Sequence, residues 1–357
     1  MFASHKKRNA MMVVFFALML LFVTACGQQS TGAPEPQQGQ EANSGGQAEA
    51  PKEEAKPEKP LKIGIVQIIE HPALDAAREG FIAEMTKLGY EKGKDVVYDI
   101  KSAQGNMDTA ISIAQKFQGD NVDMIFAIAT QAAQASAQVT KDIPILFTAV
   151  TDPVAVNVVA SMDKPGGNVT GTTDMNPVEE QLQLIKEIKA DAKKVGIIYS
   201  AGEVNSKVQV DLAKTASSKL GLEIVEAAIS NVSEVKQAAE SLVGKVDAIY
   251  IPTDNVVVAS IAAVLKVAEA QKIPVIAGEE NTVKSGAITT YGIDYGKLGE
   301  QTADMADKIF KGQAKPADMP VEKQADMKLI INKKAAERMG VTLPQSLLDR
   351  AQEVIEQ

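Results

Sequence analysis

The 357 residues include one cysteine, two histidines and no tryptophan, and aromatic side chains make up only 4% of the chain. A lone thiol makes no intramolecular disulfide and no multi-cysteine metal site. One histidine, His5, lies in the extreme N-terminal segment, so the remainder carries His71 alone. That count excludes multi-histidine zinc sites and leaves Cys–His catalysis without its parts. Without tryptophan and with so few other aromatics, the chain offers no base-stacking platform. There is no G-x-S-x-G elbow, no phosphate-binding G-x-x-x-x-G-K-[ST] loop and no G-x-G-x-x-G after a strand. Of the enzymatic readings, only carboxylate acid–base chemistry survives, through Glu279, Glu280 and Asp254, as in a sugar hydrolase.

Long apolar runs are also scarce, and the clearest stands at the front. Lys6-Lys7-Arg8 precedes an apolar run from Ala10 to Ala25, too short for a comfortable membrane span of about 20 residues but suited to a secretory signal. The run ends in Val23-Thr24-Ala25-Cys26, which resembles the bacterial lipobox, with Cys26 as the lipidated first residue of the mature chain. Gly27 to Pro60 contains no Leu, Ile, Val or Phe. Such a segment buries too little surface to offset the entropy of ordering, so it reads as a tether with a reach of roughly 30 Å. The chain thus divides into a signal over 1–25, a lipidated cysteine and tether over 26–60, and a folded remainder outside the cytoplasm, held to the outer face of the cell membrane. Loss of the three leading cations takes the formal charge from −9 to −12. An acidic surface of this kind argues against nucleic acid and against lying flat on anionic lipid.

The folded part is long for one core and natural for two. Short β-branched runs at Leu61–Ile68, Asp95–Ser102, Val122–Ala129 and Ile143–Val150 have the composition of buried parallel strands. Helical spacing fills Asp75–Leu88, Asp108–Phe117 and Gln131–Thr140 between them. This alternation predicts an α/β fold with doubly wound parallel sheets. The pattern then recurs: "KIGIVQ" at Lys62 returns as "KVGIIY" at Lys194, "LGYE" at Leu88 as "LGLE" at Leu220, "DMIFAIATQ" at Asp123 as "DAIYIPTDN" at Asp247, and "IPILFTAV" at Ile143 as "IPVIAGEE" at Ile273. The order is kept throughout and the spacing nearly so, which points to two similar lobes facing across a cleft.

Ligands of open parallel sheets bind beyond the carboxyl ends of the strands. In the first lobe those ends carry Thr130, Gln131, Thr151 and Asp152, hydroxyls and amides beside helix starts that suit a carboxylate. In the second they carry Tyr199, Asn205, Thr253, Asp254 and Glu279, with the two carboxylates as acceptors for an ammonium group. The pairing predicts a small zwitterion, with Thr130 and Thr151 on its carboxylate and Asp254 or Glu279 on its ammonium. The same residue types also serve as turn formers and helix caps.

The stretches "KIGIVQIIEHPALDAAREGF", "TAVTDPVAV", "GGNVTGTTDMNPVEEQLQLIKEI", "IYIPTDNVV", "IPVIAGEE" and "GAITTYGIDYGKLGEQTADMADKIFKGQAKPADMPVE" together resemble the substrate-binding lipoproteins of ABC importers, in the branch associated with tryptophan and other aromatic amino acids. The resemblance implies a type I periplasmic-binding-protein fold whose lobes are joined by a multi-strand hinge. It implies crossings near Val169–Thr173, Ala287–Tyr291 and Met327–Ile331, and lobes of 61–170 with 290–326 and of 171–289 with 327–357. It adds Asp174 and Asp294 to the cleft residues and returns the helix Tyr295–Lys311 to the first lobe. It implies a monomer that needs no cofactor or metal and works with a permease and an ATPase on separate chains. A same-fold binder or sensor for a sugar or nucleoside is the alternative; the lack of tryptophan and the shortage of arginine at the strand ends weigh against sugar.

Overall fold

The computed structural model describes residues 59–356 apart from 326. The expected signal segment, the lipidation at Cys26 and nearly all of the tether lie outside the described residues. Among the described residues no helix is long and apolar enough to cross a membrane.

The first lobe alternates as far as β4: β1 (Leu61–Gln67), α1 (Pro72–Lys87), β2 (Val96–Ser102), α2 (Met107–Gly119), β3 (Met124–Ile128), α3 (Thr130–Val139) and β4 (Ile145–Thr148), which is followed without a helix by β5 (Val169–Thr173). The second continues with α4 (Val178–Ile188), β6 (Lys194–Ser200), α5 (Val204–Leu220), β7 (Glu223–Ile229), α6 (Val235–Ser241), β8 (Ala248–Ile251), α7 (Asn255–Ala259), α8 (Ile261–Gln271), β9 (Val275–Ala277), α9 (Glu280–Ser285) and β10 (Thr289–Gly292). The chain then returns to the first lobe for α10 (Tyr295–Phe310) and β11 (Glu322–Lys323), and ends in the second with β12 (Lys328–Asn332), α11 (Lys333–Arg338), α12 (Gln345–Leu348) and β13 (Glu353–Ile355).

The sheet orders are β11-β5-β4-β3-β1-β2 and β13-β12-β10-β9-β8-β6-β7. With the late strands set aside, β2-β1-β3-β4-β5 and β7-β6-β8-β9-β10 are one arrangement built twice, so the sequence echoes mark a structural repeat. Its devices repeat as well. Gly64 in β1 and Gly196 in β6 occupy matching positions, and a Cβ on either would stand 2.6 Å from a side chain laid over it, Phe117 of α2 or Leu242 after α6. Asp123 and Asp247, each just before its strand, accept backbone N–H groups of Lys62 and of Lys193 and Lys194 at 2.7–2.9 Å.

The chain passes between the sheets at 174–177, at 293–294 and between β11 and β12. The segments expected to be crossings are instead the strands β5, β10 and β12, and the sheets are changed in the short stretches beside them. β5 continues pairing with β11 through Thr173, and β10 with β12 through Gly292, so residues 171–173 belong to the first lobe and 290–292 to the second. Gln181 of α4 fixes the second lobe beside the crossings. Its Nε2 donates to Gly278 O at 3.1 Å and Tyr291 O at 2.9 Å, and its Oε1 accepts from the Tyr250 hydroxyl at 2.6 Å.

The returning α10 packs backbone to backbone on α1. A Cβ on Gly80 would lie 2.1 Å from Gly296 O, and one on Gly299 2.0 Å from Ala77 O. Neither obstruction is a movable side chain, so a methyl group forces the helices apart. Gly299→Ala is expected to lower the unfolding free energy by about 1–3 kcal/mol or more in urea melts. Gly119→Ala, at the end of α2 with nothing within 4 Å of its Cβ, should be neutral or stabilising by up to about 1 kcal/mol.

Candidate functional site

Both sheets aim the carboxyl ends of their central strands at each other. In the first lobe the chain leaves β3 and β4 through Ala129 and Ala149, whose φ values of 79° and 58° are costly for a side-chain-bearing residue. Ala129 also starts α3 without any side-chain cap, whereas Asn106, Asp254, Glu279, Asp294 and Asn332 cap α2, α7, α9, α10 and α11. The first residue of α3, Thr130, is 1% exposed, and its Oγ1 has no hydrogen-bond partner. Next to it Gln131 reaches across to the second lobe, where its Nε2 donates to Gly202 O at 3.4 Å.

Thr151 and Asp174 lie after β4 and β5 and are joined by a 3.0 Å bond from Thr151 Oγ1 to Asp174 Oδ1. Tyr295, opening α10, donates its hydroxyl to the other carboxylate oxygen at 2.5 Å. Burial holds the Asp174 carboxyl above the usual range, although both hydroxyls favour its charged form. Tyr295 is pushed well above its ordinary pKa by burial first, and Asp174 and Glu279 act in the same direction, so a second-lobe carboxylate is felt at this point.

In the second lobe Asp254 and Glu203 form a buried acidic pair at the start of α7. Asp254 accepts from Ser200 N and Ser206 Oγ at 2.6 Å and from Val257 N at 2.8 Å. Glu203 accepts from the Asn205 and Asn255 side-chain amides and from the backbone N–H groups of Asn255 and Val256 at 2.7–3.1 Å. Burial, reinforced by the neighbouring Asp254, raises the Glu203 carboxyl to about 8. Thr253 is clasped by Gln209 through its N–H and hydroxyl, and Asn205 Oδ1 is buried with no partner.

The lobes meet on both flanks of this region. Gln131 touches Gly202 on one, and His71 Nε2 stands 3.3 Å from Asn255 Oδ1 on the other, while α1 abuts α9. Of the candidates, Thr130, Gln131, Thr151, Asp174, Asn205 and Thr253 gather at these facing ends. Asp254 and Glu279 are there too, but as helix caps. Glu279 accepts from Asn281 N and Thr282 N at 2.6 Å and from the Thr282 hydroxyl. This corrects the expectation that either carboxylate stands free for an ammonium group, since most of their lone pairs are already used. Asp152 and Asp294 likewise cap local turns, through Val154 and Ala155 and through Lys297. Tyr199 is not brought to the cleft: it packs against the core cluster that includes Val210 and Ala213 of α5 and donates to Glu226 of β7.

Glu203, Asn255 and Tyr295 were missed as polar members of the site. Glu203 and Asn255 stand in the strand-end loops, so their position was the available signal; Tyr295 begins a helix distant in sequence from every strand end it touches. The Glu203 shift has a consequence for stability. A carboxyl whose folded pKa is raised contributes stability below its unfolded pKa of about 4.5 that is lost as pH rises through the folded value. Urea unfolding between pH 5 and 8 should show the wild type losing up to about 1 kcal/mol per pH unit, and Glu203→Gln should flatten that slope. An unchanged slope in the variant would assign the loss to other groups.

Known proteins match this chain over both lobes. The family described as ABC transporter substrate binding protein matches residues 62–355, which span both lobes. A tyrosine-binding protein of Clostridioides difficile is 46% identical over 290 residues, covering 81% of this chain and 84% of the relative. An ABC domain from Streptococcus pneumonia solved in complex with L-Trp is 35% identical and superposes with a TM-score of 0.80, covering 83% of this chain and all of the other. The ligand-free, open structure of a substrate binding protein with adhesive properties from Clostridium difficile is 46% identical with the same coverage, yet its TM-score is 0.64. The superposition is thus closer with the L-Trp complex than with the ligand-free, open structure, although identity is higher with the latter. From the repeat, the two sheets and the matched span together, the chain belongs to the ABC transporter substrate binding protein family.

Proposed function

We propose that this chain captures an aromatic amino acid between its lobes and delivers it, chemically unchanged, to a permease powered by an ATPase on a separate chain. The observation that carries the ligand class is the 46% identity, over both lobes, with a tyrosine-binding protein. The site chemistry supports it. The uncapped start of α3 supplies backbone N–H groups and a favourable dipole, and Thr130 adds a buried hydroxyl with no partner, a combination suited to a carboxylate. Asn205 Oδ1 offers an unused acceptor on the opposite lobe for the ammonium end. The lobes and the crossing segments are one hinged trap, in which closure gives the permease a shape to recognise.

Family members of this kind work outside the cytoplasm, and the anchor we propose is a lipid on Cys26 followed by the tether over 27–60. Cys26→Ser is expected to move the protein from the membrane fraction of cells to the soluble or secreted fraction; retention in the membrane would rule out the lipid anchor.

Thermal unfolding of ligand-stripped protein against the twenty amino acids, common sugars and nucleosides tests the ligand class. A ligand at 100 times its Kd adds about 2.7 kcal/mol to the native state, or roughly 5 °C for a protein of this size. The shift is expected with tyrosine or tryptophan; a shift with sugars or nucleosides alone would refute the amino-acid reading. Because Thr130 Oγ1 bonds to nothing in the protein, Thr130→Ala should weaken binding about tenfold while leaving the ligand-free midpoint within about 1 °C.

A further inference from the structure

His71 lies in the loop between β1 and α1, 7% exposed, with Nε2 turned to Asn255 Oδ1 of the other lobe. Asn255 Nδ2 is engaged by Glu203 at 2.7 Å, which fixes the amide with its oxygen toward the imidazole. That oxygen only accepts, so Nε2 carries the hydrogen and Nδ1 presents a bare lone pair. Nδ1 is buried and has no hydrogen-bond partner. A buried acceptor in that condition is costly until a donor reaches it. We propose that His71 is a specificity-determining residue that holds the lobes together through Nε2 and, as the neutral imidazole, accepts a hydrogen bond from the captured ligand through Nδ1, so that acid releases the ligand. This deepens the capture reading and rests on it.

The charged groups around His71 sit on every neighbouring element. Glu70 is in its own loop, and Asp75 with its partner Arg78 is on α1. Glu203 and Asp254 lie behind Asn255 in the second lobe, and Glu280 with Lys284 is on α9 beside α1. Desolvation lowers His71 from 6.5 to about 4, outweighing the Asn255 hydrogen bond and the charge of Asp75, which both favour the imidazolium. With the lobes apart the ring regains water, so the closed form binds fewer protons than the open one. Affinity is therefore complete above pH 6.5 and falls as pH drops from there toward 4. Between pH 7.5 and 5.0 these values give a loss of about 30-fold. An amino acid keeps the same zwitterionic form across that interval. Glu203 also titrates near it, but its hydrogen-bond donors all belong to the second lobe and accompany it whether the lobes are together or apart.

Calorimetric titration of the full chain with L-tyrosine at pH 7.5 and 5.0, for wild type and His71→Gln, tests the proposal. The wild type should bind about 30-fold more weakly at pH 5.0; the variant, with a neutral amide in place of the ring, should bind more weakly at pH 7.5 and change less than about threefold. Histidine NMR supplies a second readout that needs no folded variant. The full chain has two histidines, and tyrosine should lower the midpoint of one by a unit or more and hold it as the Nε2–H tautomer. An affinity indifferent to pH, the same loss in His71→Gln, or histidine midpoints unmoved by tyrosine would each overturn the proposal. Absence of tyrosine binding by wild type at pH 7.5 would defeat the capture reading, and this inference with it.

Discussion

Two sheets, parallel except where β12 runs antiparallel to β10, run out in polar groups where their central strands end, and in this protein those ends are pressed together away from water. Removing hydroxyls, amides and carboxylates from solvent is costly unless each finds a partner. The second lobe meets the cost internally: Asp254, Glu203, Asn205, Ser206, Gln209 and Thr253 bond to one another and to the starts of α5 and α7. The first lobe meets it less completely, with the Thr151–Asp174–Tyr295 chain satisfied and Thr130 left over. The second lobe is thus largely a pre-formed wall, and each lobe keeps unfilled hydrogen-bonding capacity, at Thr130 Oγ1 and His71 Nδ1 in the first and at Asn205 Oδ1 in the second.

The scaffold beneath this seam is made rigid by close approach. Glycines under Phe117 and Leu242 let a helix side chain settle onto the first strand of each sheet, and glycines at Gly80 and Gly299 let α10 return across the hinge and lie directly on α1. Gln181 ties α4 to β10 and to the residue that follows β9, all within the second lobe. With both bodies stiffened to their edges, the short crossing stretches are where relative motion has to be absorbed.

Much of the fold was legible because burial leaves a pattern in composition. The β-branched runs, the helical spacing between them and the four ordered echoes are consequences of two sheets covered on both faces. Boundaries were less legible: β5 and β10 extend three residues past the expected division because their ladders continue into β11 and β12, late strands whose pairing no local pattern announces. In the site, position at a strand end was readable and role was not. Asp254 and Glu279 look like ligand acceptors in sequence, yet a carboxylate before a helix is equally a cap, and only the hydrogen bonds decide between these uses. Tyr199 failed for a simpler reason: a residue at the end of a strand can face the outer helix layer as readily as the cleft.

Three of the unpartnered atoms among the described residues, Thr130 Oγ1, Asn205 Oδ1 and His71 Nδ1, bear on what the closed shape signifies to anything that inspects it. Each makes closure around nothing less favourable, so an empty molecule has reason to stay open. A surface that recognises only the closed form would then be reading a message about contents rather than about the carrier. The same three atoms that complete the trap would make its outline an honest signal.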